Sequence, residues 1–461
     1  LELRELIPTL KDCVGQLEQD VGYASALVTQ RGGTTVRVTG KQAAVEPVEP
    51  SRGCVLSAFT GRCLVEVSTS DLSSAGLQAA VAQLRARVAQ DGVDPNGLVV
   101  DPGTPLQQEW TTAEAIPAAN VPLAEKVARG HALKDAVSKD RRAVHAVSRV
   151  GDVQNQELFI NRTRTLYQDL RRAEAVVFLV MQDGANQGEL YGGRSRAGGF
   201  EHCALPDALV DEVVRDCGRI LGAPRVAAGT HTCVFAPDFA GLFAHEAFGH
   251  GTEADMFLKR RAKGADFLGK RVASDLVDMF DSPALPGHAA TYFFDHEGQL
   301  AGETQIISKG ILSQPITSLD AAIRLSIPRT ANGRRESFER KSYTRMTNTY
   351  FGAGKHSVED VFSGVERGLF IKHGSNGMED PKGWGIQCEG YMAEEIVGGK
   401  LTGRVFSPVI VTGYVPELLQ SISAVSNTVE ITGLGTCGKG HKEWVKVTDG
   451  GPHLRLKARV A

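Results

Sequence analysis

The stretch Phe243-Ala244-His245-Glu246-Ala247-Phe248-Gly249-His250-Gly251-Thr252-Glu253-Ala254-Asp255 decides how the rest of the chain is read. Two imidazoles and a carboxylate fall within six residues, the groups that hold a catalytic metal ion and take a proton from water beside it. Histidines four apart share one helix face, but these are five apart, which on a regular α-helix rotates the second ring by roughly 140°. Both reach one ion only if the turn is loosened, as in a π-type bulge. Gly249 tolerates that distortion, and Glu246 then faces the open side, where a general base belongs. The alternative is a solvated helix with two ordinary histidines.

A second stretch bears on the choice. Gly433-Leu434-Gly435-Thr436-Cys437-Gly438-Lys439-Gly440 sets a cysteine among glycines that let backbone approach closely. Thiolate is a preferred ligand of Zn2+, and three protein ligands plus water is the usual catalytic arrangement, so His245, His250 and Cys437 make a candidate set. A buried, inert thiol is the competing reading of Cys437.

These motifs, with Arg345-Met346-Thr347-Asn348-Thr349-Tyr350 between them and Gly450-Gly451-Pro452 after them, resemble the TldD/PmbA family of metalloproteases, in its TldD-like branch that retains the metal site. The matching pieces keep the family's order across roughly the last half of the chain. The resemblance implies that His245, His250 and Cys437 bind zinc and that Glu246 activates water. It also implies unstructured or precursor peptides as substrates, and a homodimer or a heterodimer with a PmbA-like subunit. One departure is Cys437-Gly438-Lys439-Gly440-His441-Lys442, where the family pattern runs Cys-Gly-Lys-x-Gly-Gln. A non-catalytic subunit is the rival reading, and the intact His245, Glu246, His250 and Cys437 argue against it. A metal-dependent amidase or peptide-tailoring enzyme on the same site is the rival within catalysis.

Composition excludes some classes. A net charge of -3 offers no basic field for nucleic acid, and 6% aromatic residues weakens a case for base stacking. The longest apolar run, Ala175 to Met181, is too short to span a bilayer. The eight cysteines lack the dense spacing of a secreted disulfide scaffold, and no basic tip and apolar block opens the sequence. A reducing, cytoplasmic setting is expected.

The fold expected is α+β, with an N-terminal mixed domain at 1–222 and a β-rich metalloprotease domain at 223–461. Leu3, Leu6, Leu10, Val14 and Leu17 recur at helical intervals despite Pro8, and Leu72, Leu77, Val81, Leu84 and Val88 mark a helix capped by Ser70 or Asp71. Hairpins are predicted around Arg31-Gly32-Gly33 and Thr60-Gly61-Arg62. Residues 91–120 read as a long connection, and 122–137 and 206–221 as helices. Separate strands are expected at 143–150, 153–161 and 175–182. The glycine-rich segments 183–188 and 192–199 read as mobile connectors, lacking the spacing of a phosphate-binding loop.

Further candidates surround the metal motif. Arg345 and Asn348 have the donors to grip a peptide backbone or carboxylate, or to serve a structural network. Gly374 and Gly377 would let an extended peptide lie against an edge strand, or simply turn the chain. Glu253 and Asp255 are placed to orient a ligand histidine from behind, or to be solvated acids. His296 reads as a solvated turn residue.

Overall fold

Leu10, Cys13, Val14 and Leu17 lie on the buried side of α1 (Ile7–Leu17), with Pro8 in the first turn, where a missing N–H leaves no helical bond unmade. The computed structural model describes residues 2–461. It is an α+β protein, as expected. A twisted sheet follows, built from β1 (Tyr23–Thr39), β2 (Gln42–Pro47), β3 (Ser51–Phe59), β4 (Leu64–Thr69), β5 (Leu106–Thr111), β6 (Ala143–Asn161), β7 (Arg164–Asp183) and β8 (Asn186–Ala197). Its order is β4-β3-β1-β6-β7-β5, with β2 added to β1 and β8 to β7. α2 (Ser74–Asp91), α3 (Leu123–Val137) and α4 (Asp207–Arg219) complete this half, α2 burying Leu77, Val81, Leu84 and Val88. Its cap is Ser73, whose Oγ accepts from the Gly76 amide at 3.1 Å, in place of the expected Ser70 or Asp71.

Several sequence expectations are corrected here. Arg31-Gly32-Gly33 is not a turn: β1 runs through it, paired with β6 throughout. The glycines mark the point where β1 exchanges partners, from β3 before residue 32 to β2 after residue 33. A Cβ on Gly33 would lie 2.1 Å from the Asp152 carbonyl oxygen, so close strand approach explains the glycine. Residues 143–161 form one strand, not two. Gly192 and Gly193 lie within β8, where a Cβ on Gly192 would meet Val213 of α4 at 2.5 Å. Close packing, and no mobile connector, accounts for them. The connection at 91–120 contributes β5, which runs parallel to β7.

Past the irregular segment 221–228 come β9 (Gly229–Phe235) and α5 (Pro237–Ala244). β9 joins Arg367–Asp380, Leu454–Val460, Val409–Tyr414 and Gly385–Val397 in a sheet whose path closes, because Arg367–Asp380 also pairs with Gly385–Val397. A second sheet runs through Met279–Asp281, Asn348–Phe351 and Thr448–Gly451, the last two parallel. Phe235, Phe239, Phe243 and Phe248 fill the core around α5, between the two sheets.

The halves are clamped together. Arg335 donates to Glu66 from both terminal nitrogens, at 2.7 and 3.4 Å, with the arginine side chain 3% exposed. Burial works against the Glu66 carboxylate, yet Arg335 holds it below its usual pKa. His296 sits beside this clamp, with Nε2 3.2 Å from Glu157 and Nδ1 accepting the Arg335 amide at 2.9 Å, so it is a bridging residue and not a solvated one. Removing one partner of such a pair leaves a buried charge unmet. Arg335→Ala is therefore expected to lose about 3–5 kcal/mol of unfolding free energy in urea; a loss below about 1 kcal/mol, the size of an exposed pair, contradicts the clamp.

Candidate metal centre

Helix α5 does not stop at Ala244 but widens into one π turn, His245–Gly249, followed by a short 3-10 turn, His250–Thr252. The extra residue per turn brings His245 and His250 round toward each other, with ring centroids 5.0 Å apart and planes at 89°. Two glycines make the placement possible. A Cβ on Gly249 would lie 2.1 Å from Met346 Sδ, and one on Gly241 would lie 2.5 Å from the Gly450 amide nitrogen. The Gly450-Gly451 pair thus lets α5 rest directly on the strand Thr448–Gly451.

Cys437 arrives on a separate hairpin, Thr436–Lys439 paired with Glu443–Lys446. Its Sγ lies 3.6 Å from His250 Nε2, and one donor atom from each of His245, His250 and Cys437 lies within 4.8 Å of the others. Zinc–nitrogen bonds of about 2.0–2.1 Å and a zinc–sulfur bond of about 2.3 Å in a tetrahedron put those atoms about 3.6 Å apart, so this donor set fits the ion. His245 Nδ1 is buried without a partner among the described residues. Glu246 is partly exposed at the edge of the cluster and accepts no hydrogen bond from the described residues.

Fixed charges hold the hairpin in place. Lys439 Nζ donates to Glu253 at 3.0 Å, to Asp255 at 2.7 Å and to the Thr344 carbonyl at 3.0 Å. Glu253 Oε2 also lies 3.2 Å from His250 Nδ1, so it orients that ring, while Asp255 reaches Lys439 and touches neither histidine. Despite burial, Lys439 and His250 keep Glu253 ionised. Burial opposes the Cys437 thiolate too, but the neighbouring imidazoles win and bring its pKa down to about 4. His250 is correspondingly raised well above its usual value: burial lowers it, and the Cys437 and Glu253 charges outweigh burial.

Arg345 and Asn348 do not reach a substrate. Both are fully buried. Arg345 donates to the Cys437 and Glu443 carbonyls, and Asn348 to the Ser282 carbonyl and Thr291 Oγ1. The terminal nitrogens of Arg345 go to the hairpin that carries the thiolate, while its Nε is buried without a partner among the described residues, and the Asn348 amide goes to the protein's own oxygens. Gly377 lies against the site, since a Cβ there would sit 2.3 Å from Glu246 Cγ. Gly374 borders a bulge in the same strand, its amide bonded to Asp238. Lys439 is a site residue that sequence reasoning did not single out, although it stands two residues after the cysteine. Glu212, Asp216 and His373 form a second close group of donors. Lys372 Nζ lies 2.5 Å from Asp216 and 2.8 Å from Glu212, so an ammonium already fills it.

An α+β protein with two imidazoles, a thiolate and a free carboxylate at a π turn has the donor set of a zinc hydrolase. The family model for the PmbA/TldA metallopeptidase C-terminal domain matches residues 228–461. A metalloprotease of Methanothermobacter thermautotrophicus is 30% identical over 367 residues, 78% of this chain and 78% of that protein. A zinc metalloprotease TldD homolog of Saccharolobus solfataricus is 29% identical over 236 residues, 50% of this chain and 51% of that one. Among solved structures, a putative modulator of a DNA gyrase from Thermotoga maritima superposes with a TM-score of 0.78 at 15% identity, covering 99% of this chain and 100% of that one. TldE from Thermococcus kodakarensis does so with a TM-score of 0.77 at 17% identity, covering 98% and 100%. At these identities the structural likenesses establish the fold. The chain belongs to the PmbA/TldD family of metallopeptidases. Among the described residues, no helix is long and apolar enough to cross a membrane.

The depressed Cys437 pKa has a direct readout. A thiol titrating near 9.0 when unfolded and about 4 when folded adds stability that is complete above pH 9.0 and falls away as pH drops toward 4. Metal-free protein is expected to show one thiolate by ultraviolet absorbance at neutral pH, disappearing with a midpoint near 4 and missing in Cys437→Ser. A midpoint at 8 or above contradicts the arrangement.

Proposed function

We propose that the chain is a zinc-dependent peptidase that hydrolyses unstructured or precursor peptides. The observation carrying the proposal is the convergence of His245, His250 and Cys437, with one donor atom of each within 4.8 Å of the others and the unengaged Glu246 carboxylate beside them. The printed name of the Saccharolobus relative, a zinc metalloprotease, supports the choice of metal. A zinc ion held here would lower the pKa of its water to about 7 and polarise the scissile carbonyl. His245, His250 and Cys437 would hold it. Glu246 would act as the general base that takes a proton from water and the acid that delivers it to the departing amine. Gly377 leaves the volume in which the Glu246 side chain lies. Glu253, anchored by Lys439, keeps His250 Nδ1 engaged and so leaves Nε2, turned toward Cys437, as the nitrogen that would bind the ion. We place the reaction in the cytoplasm, in a homodimer or a heterodimer with a PmbA-like subunit, on the basis of the family resemblance.

Two variants separate ligand from base. Cys437→Ala is expected to purify without stoichiometric zinc, whereas Glu246→Ala keeps zinc and loses about 10²–10⁴-fold in turnover of an unfolded peptide mixture, read by mass spectrometry. Stoichiometric zinc in Cys437→Ala overturns the ligand assignment. Gly377→Ala, whose methyl group displaces Glu246, is expected to keep zinc and lower kcat by about tenfold or more; an unchanged kcat shows that Glu246 does not work from this position.

A further inference from the structure

The proposed hydrolysis uses the end of α5 nearest the metal, yet the same helix face carries more chemistry. Asp238, Gly241, Leu242 and His245 fall at helical spacing, so they share one side of α5 and its continuation. At 1.5 Å per residue, Gly241 lies about 6 Å along the axis from His245. The backbone of Asp449 rests on Gly241, its carbonyl carbon 2.9 Å from where a Cβ would be. This contact, permitted by Gly241 and Gly450, fixes Asp449 beside the helix between Asp238 and the first metal-binding imidazole.

Asp449 differs from Asp238 and Glu253, the neighbouring acids that have partners. Asp238 accepts the amides of His373 and Gly374, at 2.6 and 3.3 Å. Glu253 is bound to Lys439 and His250. The Asp449 carboxylate is partly exposed and takes no hydrogen bond or ion pair from the described residues. The nearest cation in sequence, Lys446, is directed to Glu174 at 3.8 Å. Burial and the neighbouring charge of Glu246 raise the Asp449 pKa to about 6, although His245 and Lys446 pull it down. An unpartnered carboxylate next to a reaction centre is a functional arrangement more often than a stabilising one.

An aromatic ring lies within charge range of Asp449. Tyr191, from β8, donates its hydroxyl to the Gly374 carbonyl at 3.1 Å, and its ring packs edge-on against Tyr391 with centroids 5.9 Å apart. The charges of Asp449 and Asp238 both reach Tyr191, and with burial as the leading cause they push its hydroxyl up to about 12. A tyrosine ring within charge range of an unpaired carboxylate is the kind of surrounding that selects an organic cation, through charge pairing and cation–π attraction.

We propose that Asp449, with Tyr191, forms a specificity subsite that takes a cationic group of the substrate, an alkylammonium or guanidinium, next to the scissile bond. The proposal rests on the peptidase reading of the metal centre. An extended peptide advances about 3.3 Å per residue, so a subsite about 6 Å along α5 from His245 serves a group within about two residues of the bond cleaved. Such a group is either the amino terminus of the peptide or a lysine or arginine side chain. Asp449 is a positioning residue here: it acts on where the substrate lies and leaves proton transfer to Glu246.

The test uses binding, so that it does not depend on turnover. Zinc-loaded Glu246→Gln protein is titrated with four fluorescent versions of one unfolded ten-residue peptide: a free amino terminus with a central lysine, the N-acetylated form, the form with norleucine replacing lysine, and the form with both changes. Neutralising the recognised group is expected to weaken binding about tenfold, and the responding arm tells amino terminus from side chain. Adding Asp449→Asn is expected to erase that difference with zinc content unchanged, and Asp449→Glu to retain most of it. Equal affinity of all four peptides overturns the subsite, as does loss of zinc in Asp449→Asn, which would make Asp449 part of the metal centre. Charge-selective binding by a chain whose native Glu246 form cleaves none of the peptides would sink the peptidase reading and leave the subsite standing.

Discussion

Two imidazoles five residues apart meet at one point only where the helix that carries them is widened, and every other feature of the site accommodates that turn. Widening costs helical hydrogen bonding and needs support on all sides. Phe239, Phe243 and Phe248 bury the rest of the helix, Met346 packs where Gly249 has no side chain, and the Thr448–Gly451 strand lies against Gly241. The third donor comes from 187 residues beyond His250. It is held by Lys439, which bridges to the acids after the π turn, and by Arg345, which grips the hairpin carbonyls from within.

Electrostatics explains why so many charges are buried together. A thiolate between two imidazoles is stable without metal because the rings supply the positive charge that burial would otherwise deny it. Glu253 then faces His250 on one side and Lys439 on the other, so the chain of alternating charges runs from the thiolate to the hairpin lysine and returns to the same hairpin. Deleting one member strands the next, which ties ligand geometry to fold stability. Glu246 and Asp449 lie outside this chain, partly exposed and without hydrogen bonds from the described residues.

The candidate metal donors His245, His250 and Cys437, which the fold brings together, were legible in the sequence because metal donors are few in kind and their spacing is restrictive. The π turn followed from the five-residue interval and Gly249, and the helices from apolar periodicity. Glycines misled. Arg31-Gly32-Gly33 and the glycines of β8 look like turn signals, but they sit where strands approach closely or a helix packs down, and such packing is set by partners distant in sequence. Arg345 and Asn348 look like surface donors for the same reason: their acceptors are backbone carbonyls that only the folded chain brings near. Asp449 carried no local signal beyond standing before Gly450-Gly451, and its place beside α5 is a tertiary fact.

The claim at the centre of this account is that one ion is shared by donors from two ends of the C-terminal half. Zinc K-edge X-ray absorption on the loaded protein reads that directly. The account predicts one sulfur at about 2.3 Å with two imidazole nitrogens at about 2.0–2.1 Å and a light oxygen completing the shell. A first shell with no sulfur, or with a single imidazole, would contradict it.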